Sequence, residues 1–365
     1  MKTNYDVIVV GGGVAGVSAA LSARREHHSV LLIEKLPILG GLATSGLINW
    51  FEPLCDGKGN QLIFSICEEL FELSLKYGYS TFDKDWKEKH LRMVSFFDHN
   101  LFALCLNKLL LDEGIDISYE SLVSDVKVKE DKIDSIEITT TDGKRWLKAT
   151  EYIDASGNAC LFRKAGLEVY EGQNYLVYCT TTLKDGVGRP TFQYTGAFPD
   201  GNGHPQGEKF FNGIDQDEVN EFIQKGQLRC LEDYENKKFK DLSTIPSMPQ
   251  FRKIAAICGE YCLTKKDLNV HHKDSIGTYG VFYKPGEVYE IPMGCLYSHK
   301  IQNLFAAGRI ISSQDDGWET IRVIPVCILT GEVAGLMASL SLDNKLSIRE
   351  LQNKLLARGN KLHFD

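Results

Sequence analysis

The sequence predicts an α/β chain: a parallel-sheet domain completed by a β-meander, interrupted by an inserted α+β domain and resumed near the C-terminus. Three observations predict it. An apolar, β-branched run at residues 5–10 meets a glycine-rich turn, an Ala- and Val-rich segment and a second apolar run at 29–34, which is the order of a βαβ unit. Short alternating runs gather between 115 and 153. A strand, a turn and a long apolar segment return after 291.

Each element follows from its pattern. Residues 5–10 read as a buried parallel strand, 14–26 as a helix and 29–34 as a second strand. Leu62, Ile66, Leu70, Leu73 and Tyr77 recur at helical spacing, which predicts a helix over 62–77. A second helix is expected over 99–113, opened by Asp98 and closed by Gly114. Strands follow at 115–119, 126–128, 133–139 and 145–153, with Asp142-Gly143 as the hairpin turn between the last two. Residues 166–290 are richer in aromatics, Gly and Pro and read as a substrate domain, a sheet with flanking helices. A strand at 304–308, a helix at 325–342 and a C-terminal helix or tail at 346–365 close the chain. The expected limits are therefore 1–165 for the first domain with a helical excursion at 51–97, 166–290 for the insertion, and 291–345 for the return.

The 365 residues allow two domains. Hydrophobic residues at 43% and charged residues at 25% are the balance of a globular protein. The net charge is −8 and no Lys/Arg run exceeds two, which argues against a nucleic-acid partner. Ten cysteines are scattered with no CxxC, against a dithiol–disulfide reductase and against a tetrahedral metal site. With no secretory pattern at the start, they point to the reducing cytoplasm. Residues 323–342 come nearest to a membrane span, but Gly331-Glu332 and Gly335 break the run, so no membrane partner is expected.

Four motifs carry chemistry. In Gly11-Gly12-Gly13-Val14-Ala15-Gly16, the first glycine permits the tight turn, Gly13 lets a diphosphate approach the backbone, and Gly16 lets helix and strand pack closely. Anions are favoured at the helix N-terminus that follows. Glu34 ends the next strand, where a carboxylate accepts from ribose hydroxyls. Together these define a Rossmann-like dinucleotide fold. The second motif is Leu39-Gly40-Gly41 with Thr44, the third Tyr152-Ile153-Asp154-Ala155-Ser156-Gly157. The fourth spans Asn303 to Arg309, Arg322 to Pro325 and Thr330 to Gly335.

In this set the chain resembles the FAD-dependent oxidoreductases of the glutathione-reductase flavoprotein fold class, over most of 5–50, 98–165 and 246–342. The resemblance implies non-covalent FAD, since 36–50 holds no histidine that could tether the flavin. It implies cofactor contacts at Gly11, Gly13, Val14, Ala15, Gly16, Glu34, Lys35, Gly40, Gly41, Leu42, Ala43, Thr44, Val123, Ala155, Ser156, Gly157, Gly308, Arg309, Val326 and Gly331. Val123 would meet adenine through its backbone, and the helix after Arg322 would aim its N-terminus at the flavin. Two departures stand out. Ala255 and Ala256 replace arginines that the family often carries after the position of Arg252, and Gly308-Arg309 replaces the Gly-Asp of larger flavoprotein groups.

Flavin carries the electrons, so the protein must position a substrate and move protons. Arg309, Arg322 and Arg252 are the candidate catalytic residues, able to hold a carboxylate bidentately. Gln314, Trp318, Cys327, Tyr279, His204, His271 and His272 are further polar candidates. The expected reaction passes a hydride between a small molecule and FAD, with an electron-transfer partner or a second copy of the chain as further partners. A flavin monooxygenase on the same scaffold, an RNA-modifying or structural FAD protein, and an NAD-binding protein remain alternatives.

Overall fold

A computed structural model describes residues 2–89, 91–184, 187–191 and 209–365. His204 lies outside them.

The central sheet has seven strands. Its path runs Asp116–Ser118, Val30–Ile33, Asn4–Val10, Gly143–Asp154, Lys132–Thr140, Leu122–Lys129, and Leu304–Ala306 pairs with the C-terminal part of Gly143–Asp154. Asn4–Val10 and Val30–Ile33 are wholly apolar from Val7 onward and buried on both faces, as parallel strands require. Gly143–Asp154 does two jobs. Its first residues pair antiparallel with Lys132–Thr140, and Lys148 to Asp154 run parallel to Asn4–Val10. One strand thus joins the meander to the parallel sheet.

The register brings four strand ends level. Val10 is opposite Ile33 and Asp154, and Asp154 is opposite Ala306. Gly11, Glu34, Ala155 and Ala307 therefore leave the sheet along one edge, the carboxyl edge where α/β sheets bind ligands.

Two helices cover one face of this sheet. Val14–Arg25 is buried from Val14 to Ala23, and Ile324–Leu342 from Ile324 to Leu340. The second is apolar all round, which marks a core helix. By length and composition it could cross a membrane, yet 94% of its apolar window is buried inside the protein. Ser18 and Ser22 donate to the carbonyls of Ile328 and Glu332 at 2.7 Å, tying the two helices together.

Several elements differ from expectation. The helix predicted from 62 begins at Ile66, because the amides of Leu62 and Ile63 both turn back to Leu54 O. Among the described residues, 166–290 form no single sheet. Val169–Glu171 pairs with Ala255–Ile257; Thr180–Lys184 pairs with Val187–Thr191 and Leu242–Thr244; Ser275–Gly280 pairs with Val288–Pro292. The last hairpin crosses residue 290, so the boundary expected there falls inside a paired strand. Helix Gln216–Glu235 packs beside these pieces, capped by Asp215, which accepts from Glu218 N.

Candidate active site

The glycines at the first turn have different neighbours. Gly11 has φ +104°, and a Cβ there would stand 2.4 Å from Ala155 O; at Gly16 it would stand 1.8 Å from Gly11 O. Both are closed by backbone. A Cβ at Gly13, the N-cap of helix Val14–Arg25, would meet nothing within 4 Å. The chain packs tightly around this turn and leaves open space at the one glycine that faces the helix N-terminus. Gly40 N bonds Gly12 O at 2.8 Å, which lays the Gly40-Gly41 segment beside the same space.

Glu34 is buried beside it. Its Oε2 accepts from Gly12 N at 2.5 Å and its Oε1 from Leu36 N at 2.8 Å. Burial raises its carboxyl above the ordinary value, against the pull of those two amides and of Lys35. Each oxygen keeps a further acceptor site for a hydroxyl. Across the cleft, Asp154 shapes the 155–157 turn. Its Oδ1 accepts from Ser156 N at 3.0 Å and Ser156 Oγ at 2.5 Å, and its Oδ2 from Leu161 N at 2.7 Å. Gly308 enters at φ +76°, its amide donating to Thr330 Oγ1 at 3.0 Å.

These segments border one cleft. Gly11, Gly13, Val14, Ala15, Glu34, Lys35, Gly40, Gly41, Leu42, Ala43, Ala155, Ser156, Gly157, Gly308 and Arg309 line it, as do Arg322, Ile324 and Cys327. The fit to an extended dinucleotide rests on three features: open backbone at Gly13, a buried acceptor at Glu34, and the N-terminus of Ile324–Leu342 at the far end.

Five other expected contacts lie elsewhere. Gly16 is closed against Gly11. Thr44 is buried with its Oγ1 on Leu39 O. Val123 is buried opposite Ile138 in the meander. Val326 is in the core of its helix. Gly331 faces the first helix, where a Cβ would stand 2.2 Å from Ala15 O. None of the five lines the cleft.

A second cavity of about 350 Å³ adjoins the first and shares Leu42, Arg309, Arg322 and Ile324 with it. Ile48, Trp50, Glu52, Arg92, Val177, Cys179, Gln250, Arg252, Phe282, Tyr283 and Val323 complete its wall. All three candidate arginines reach it. Arg309 is heavily committed: Nε donates to Gly157 O at 2.9 Å, Nη1 donates to Phe251 O, and burial holds its pKa down at about 10. Arg322 makes two bonds to Glu319 Oε2, at 3.0 and 2.9 Å. Glu319 also pairs with Lys253, and these two cations outweigh its burial and hold its carboxyl low.

The remaining polar candidates among the described residues sit outside this cavity. Trp318 Nε1 donates to Arg309 O at 2.9 Å, and Gln314 stands at the N-cap position of helix Asp315–Ile321 without a side-chain capping bond. Tyr279 is buried against Thr320. His271 pairs with Glu290, and His272 lies 3.3 Å from Asp267. Cys327 lines the cleft, with burial pushing its thiol up to about 12.

Sequence reasoning missed Glu52, Arg92 and Gln250. Gln250 joins three segments: its amide donates to Gly46 O at 2.6 Å and Cys179 O at 3.2 Å, and its Oε1 accepts from Cys179 N at 2.6 Å. No local motif marks any of the three.

The sheet edge, glycine turn and buried acid define a dinucleotide-binding fold of the flavoprotein type. The chain belongs to the FAD dependent oxidoreductase family, which it matches over residues 6–241 and 213–359. Membership of that family gives FAD as its cofactor. It is similar to digeranylgeranylglycerophospholipid reductase 1 of Methanococcoides burtonii, with 24% identity over 199 residues, 51% of this chain and 46% of that protein. It is similar to the NADH:acrylate oxidoreductase of Vibrio harveyi, with 48% identity over 59 residues, 16% of this chain and 6% of that protein. The matches thus span less than half of either relative. Among solved structures, BexE aligns at TM-score 0.54 and 12% identity, covering 97% of this chain and 66% of that one. CabE, an aromatic hydroxylase from angucycline biosynthesis, aligns at 0.51 and 13%, covering 97% and 68%. These two likenesses concern the fold alone.

Proposed function

We propose that the chain transfers a hydride between a small organic molecule in the second cavity and FAD held non-covalently in the first cleft. The observation that carries this reading is the shared wall: Leu42, Arg309, Arg322 and Ile324 belong to both spaces. FAD, when bound, supplies the two-electron chemistry.

The chain's own groups do the rest. The free N–H groups of Val14 and Ala15 favour a diphosphate at the helix N-terminus. Glu34 offers its two oxygens to a ribose. The N-terminus of Ile324–Leu342 places a positive dipole end where the two spaces meet. Arg322, fixed by Glu319, brings a full positive charge to the same junction. The apolar side chains Ile48, Val177 and Val323 make part of the second cavity's wall nonpolar, which strengthens the charges beside it. The pieces of the 166–290 insertion and of the 51–97 excursion close over it as the substrate-binding part. The second electron partner comes from outside the chain, and the ten unpaired cysteines fit a cytoplasmic enzyme.

The test is spectroscopic. Purified protein should show an oxidised-flavin spectrum that passes into the supernatant on heating. Anaerobic titration with NADH, NADPH or a panel of small acids should bleach it, with electrons conserved between donor and flavin. Rapid oxygen uptake coupled to hydroxylated product would overturn hydride transfer in favour of a monooxygenase.

A further inference from the structure

Glu290 lies in strand Val288–Pro292 with its side chain fully buried, 0% exposed. A buried carboxylate needs partners for both oxygens. It draws them from two segments far apart in the chain. Oε1 stands 2.8 Å from His271 Nδ1 and accepts from Phe364 N at 3.3 Å. Oε2 stands 3.0 Å from His363 Nδ1 and accepts from His272 N at 2.7 Å. His271 belongs to the loop before strand Ser275–Gly280, and His363 to the segment after helix Ile348–Ala357.

Two imidazoles and a carboxylate thus present one ligating atom each, all within 4.8 Å of one another. No cysteine takes part, so the group differs in kind from the thiolate site that the cysteine spacing argues against. His271 is 61% exposed and His363 47%. The cluster is therefore buried at the acid and open at the rings, where water can complete a coordination shell. The buried side is held in place. The amides of His272 and Phe364 fix the carboxylate, and the His271 ring stacks on Phe364 at 4.2 Å and 20°. Outer contacts of this kind orient the ligands of a metal. Neighbouring charges have other partners: Asp267 lies 3.3 Å from His272 Nε2, and Lys361 pairs with Asp365 at 2.9 Å.

We propose that His271, Glu290 and His363 bind a first-row divalent metal ion, Zn²⁺ above all, which fastens the C-terminal segment to the hairpin of residues 275–292. The donor types select the ion. Imidazole with carboxylate suits Zn²⁺ and its neighbours, whereas Mg²⁺ and Ca²⁺ prefer oxygen shells. The spacing is close to what the ion needs. Ligand atoms about 2.0–2.1 Å from a tetrahedral Zn²⁺ stand about 3.3–3.4 Å from one another, so the two N···O spacings must open by about half an ångström or less. The exposed rings can make that shift while Glu290 stays fixed. Each ring gives up its Nδ1 proton to solvent or to its own Nε2, and the lone pair so freed takes the metal. The inference is independent of the hydride-transfer reading, because the three residues line neither the FAD cleft nor the second cavity.

The experiment is calorimetric titration of the full chain, stripped with EDTA and returned to chelator-free buffer at pH 7.5, with ZnCl₂ and separately with MgCl₂. Zn²⁺ should bind at one equivalent, and H271A and H363A should each weaken that binding at least about tenfold. H299A, whose ring pairs with Glu260 outside the cluster, should bind as wild type does. Zn²⁺ should also raise the melting temperature of wild type, as a ligand of the folded state must, and raise that of H363A less. If H363A does not fold, H271A carries the test, since its ring is the more exposed of the two. No Zn²⁺ binding overturns the site and leaves the cluster as a hydrogen-bonded contact. Zn²⁺ binding that survives both substitutions places the ion elsewhere, on the free thiols, and overturns it too. So does Mg²⁺ binding as tight as that of Zn²⁺.

Discussion

Gly13 and Gly16 are three residues apart in one motif, and their substitution should have opposite consequences. Gly13 sits at φ −66° and ψ 174°, a conformation open to any residue, and an added Cβ meets no protein atom within 4 Å. G13A should therefore leave the stability of the FAD-free protein within about 0.5 kcal/mol of wild type. The new methyl enters the space expected for the diphosphate, so FAD affinity should fall at least about tenfold. G16A puts its Cβ 1.8 Å from Gly11 O. It should cost roughly 1–3 kcal/mol or more, because the helix must move off the strand. Thermal unfolding with and without FAD separates the two effects. A G13A protein that holds FAD as tightly as wild type would refute a diphosphate at this turn.

At the level of elements, the helix pair Val14–Arg25 and Ile324–Leu342 depends on small residues. A Cβ on Gly331 would stand 2.2 Å from Ala15 O, and one on Gly335 2.3 Å from Ala19 O. G331A should thus destabilise the fold through overpacking by roughly 1–3 kcal/mol and lower the melting temperature, with any FAD loss following unfolding. A G331A protein of wild-type stability and weakened FAD binding would return this glycine to the cofactor site. The sequence motif suggested a cofactor contact because glycine serves two ends: approach to a ligand and approach to another backbone. Only the neighbours tell them apart. The βαβ unit was legible because its strands are continuously apolar and its acid falls at the strand end. The core helix near the C-terminus was legible because it is apolar on all faces. Glu52 and Arg92 were not. They lie 40 residues apart in the excursion, without periodicity around them, and meet Arg252 only through tertiary packing. The separate pairings of the insertion's described strands were not legible, because strands of three to six residues are too short to show alternation.

Across the whole molecule, distant parts of the chain support one wall of the second cavity. Phe282 and Tyr283 lie in the connection between Ser275–Gly280 and Val288–Pro292. Tyr289 in the second strand is tied to Asp316 at 2.8 Å, and Tyr283 also donates to that carboxylate. The other side of this hairpin is held by the C-terminal tail. Ser275 Oγ donates to Leu362 O at 2.6 Å and Thr278 N to Lys361 O at 3.2 Å. Glu290 is the polar centre of this docking. It is buried, with His271 Nδ1 at 2.8 Å, His363 Nδ1 at 3.0 Å and His272 N at 2.7 Å. Burial pushes its carboxyl up, but the His272 amide and the rings of His363 and His271 pull harder, so the net position is below the ordinary value. A carboxyl depressed in the folded state stabilises the fold above its unfolded pKa, and that contribution disappears as pH falls through the folded value. E290Q should therefore be less stable than wild type at pH 6, by roughly 1–3 kcal/mol for a lost charged hydrogen-bond centre. The gap should close as pH falls below the carboxylate range, where wild-type Glu290 is itself protonated. Urea unfolding of both proteins at pH 6 and pH 3.5 measures it. A gap of constant size would mean that the carboxylate's charge does not hold the tail, and that the packing of Leu362 and Phe364 does.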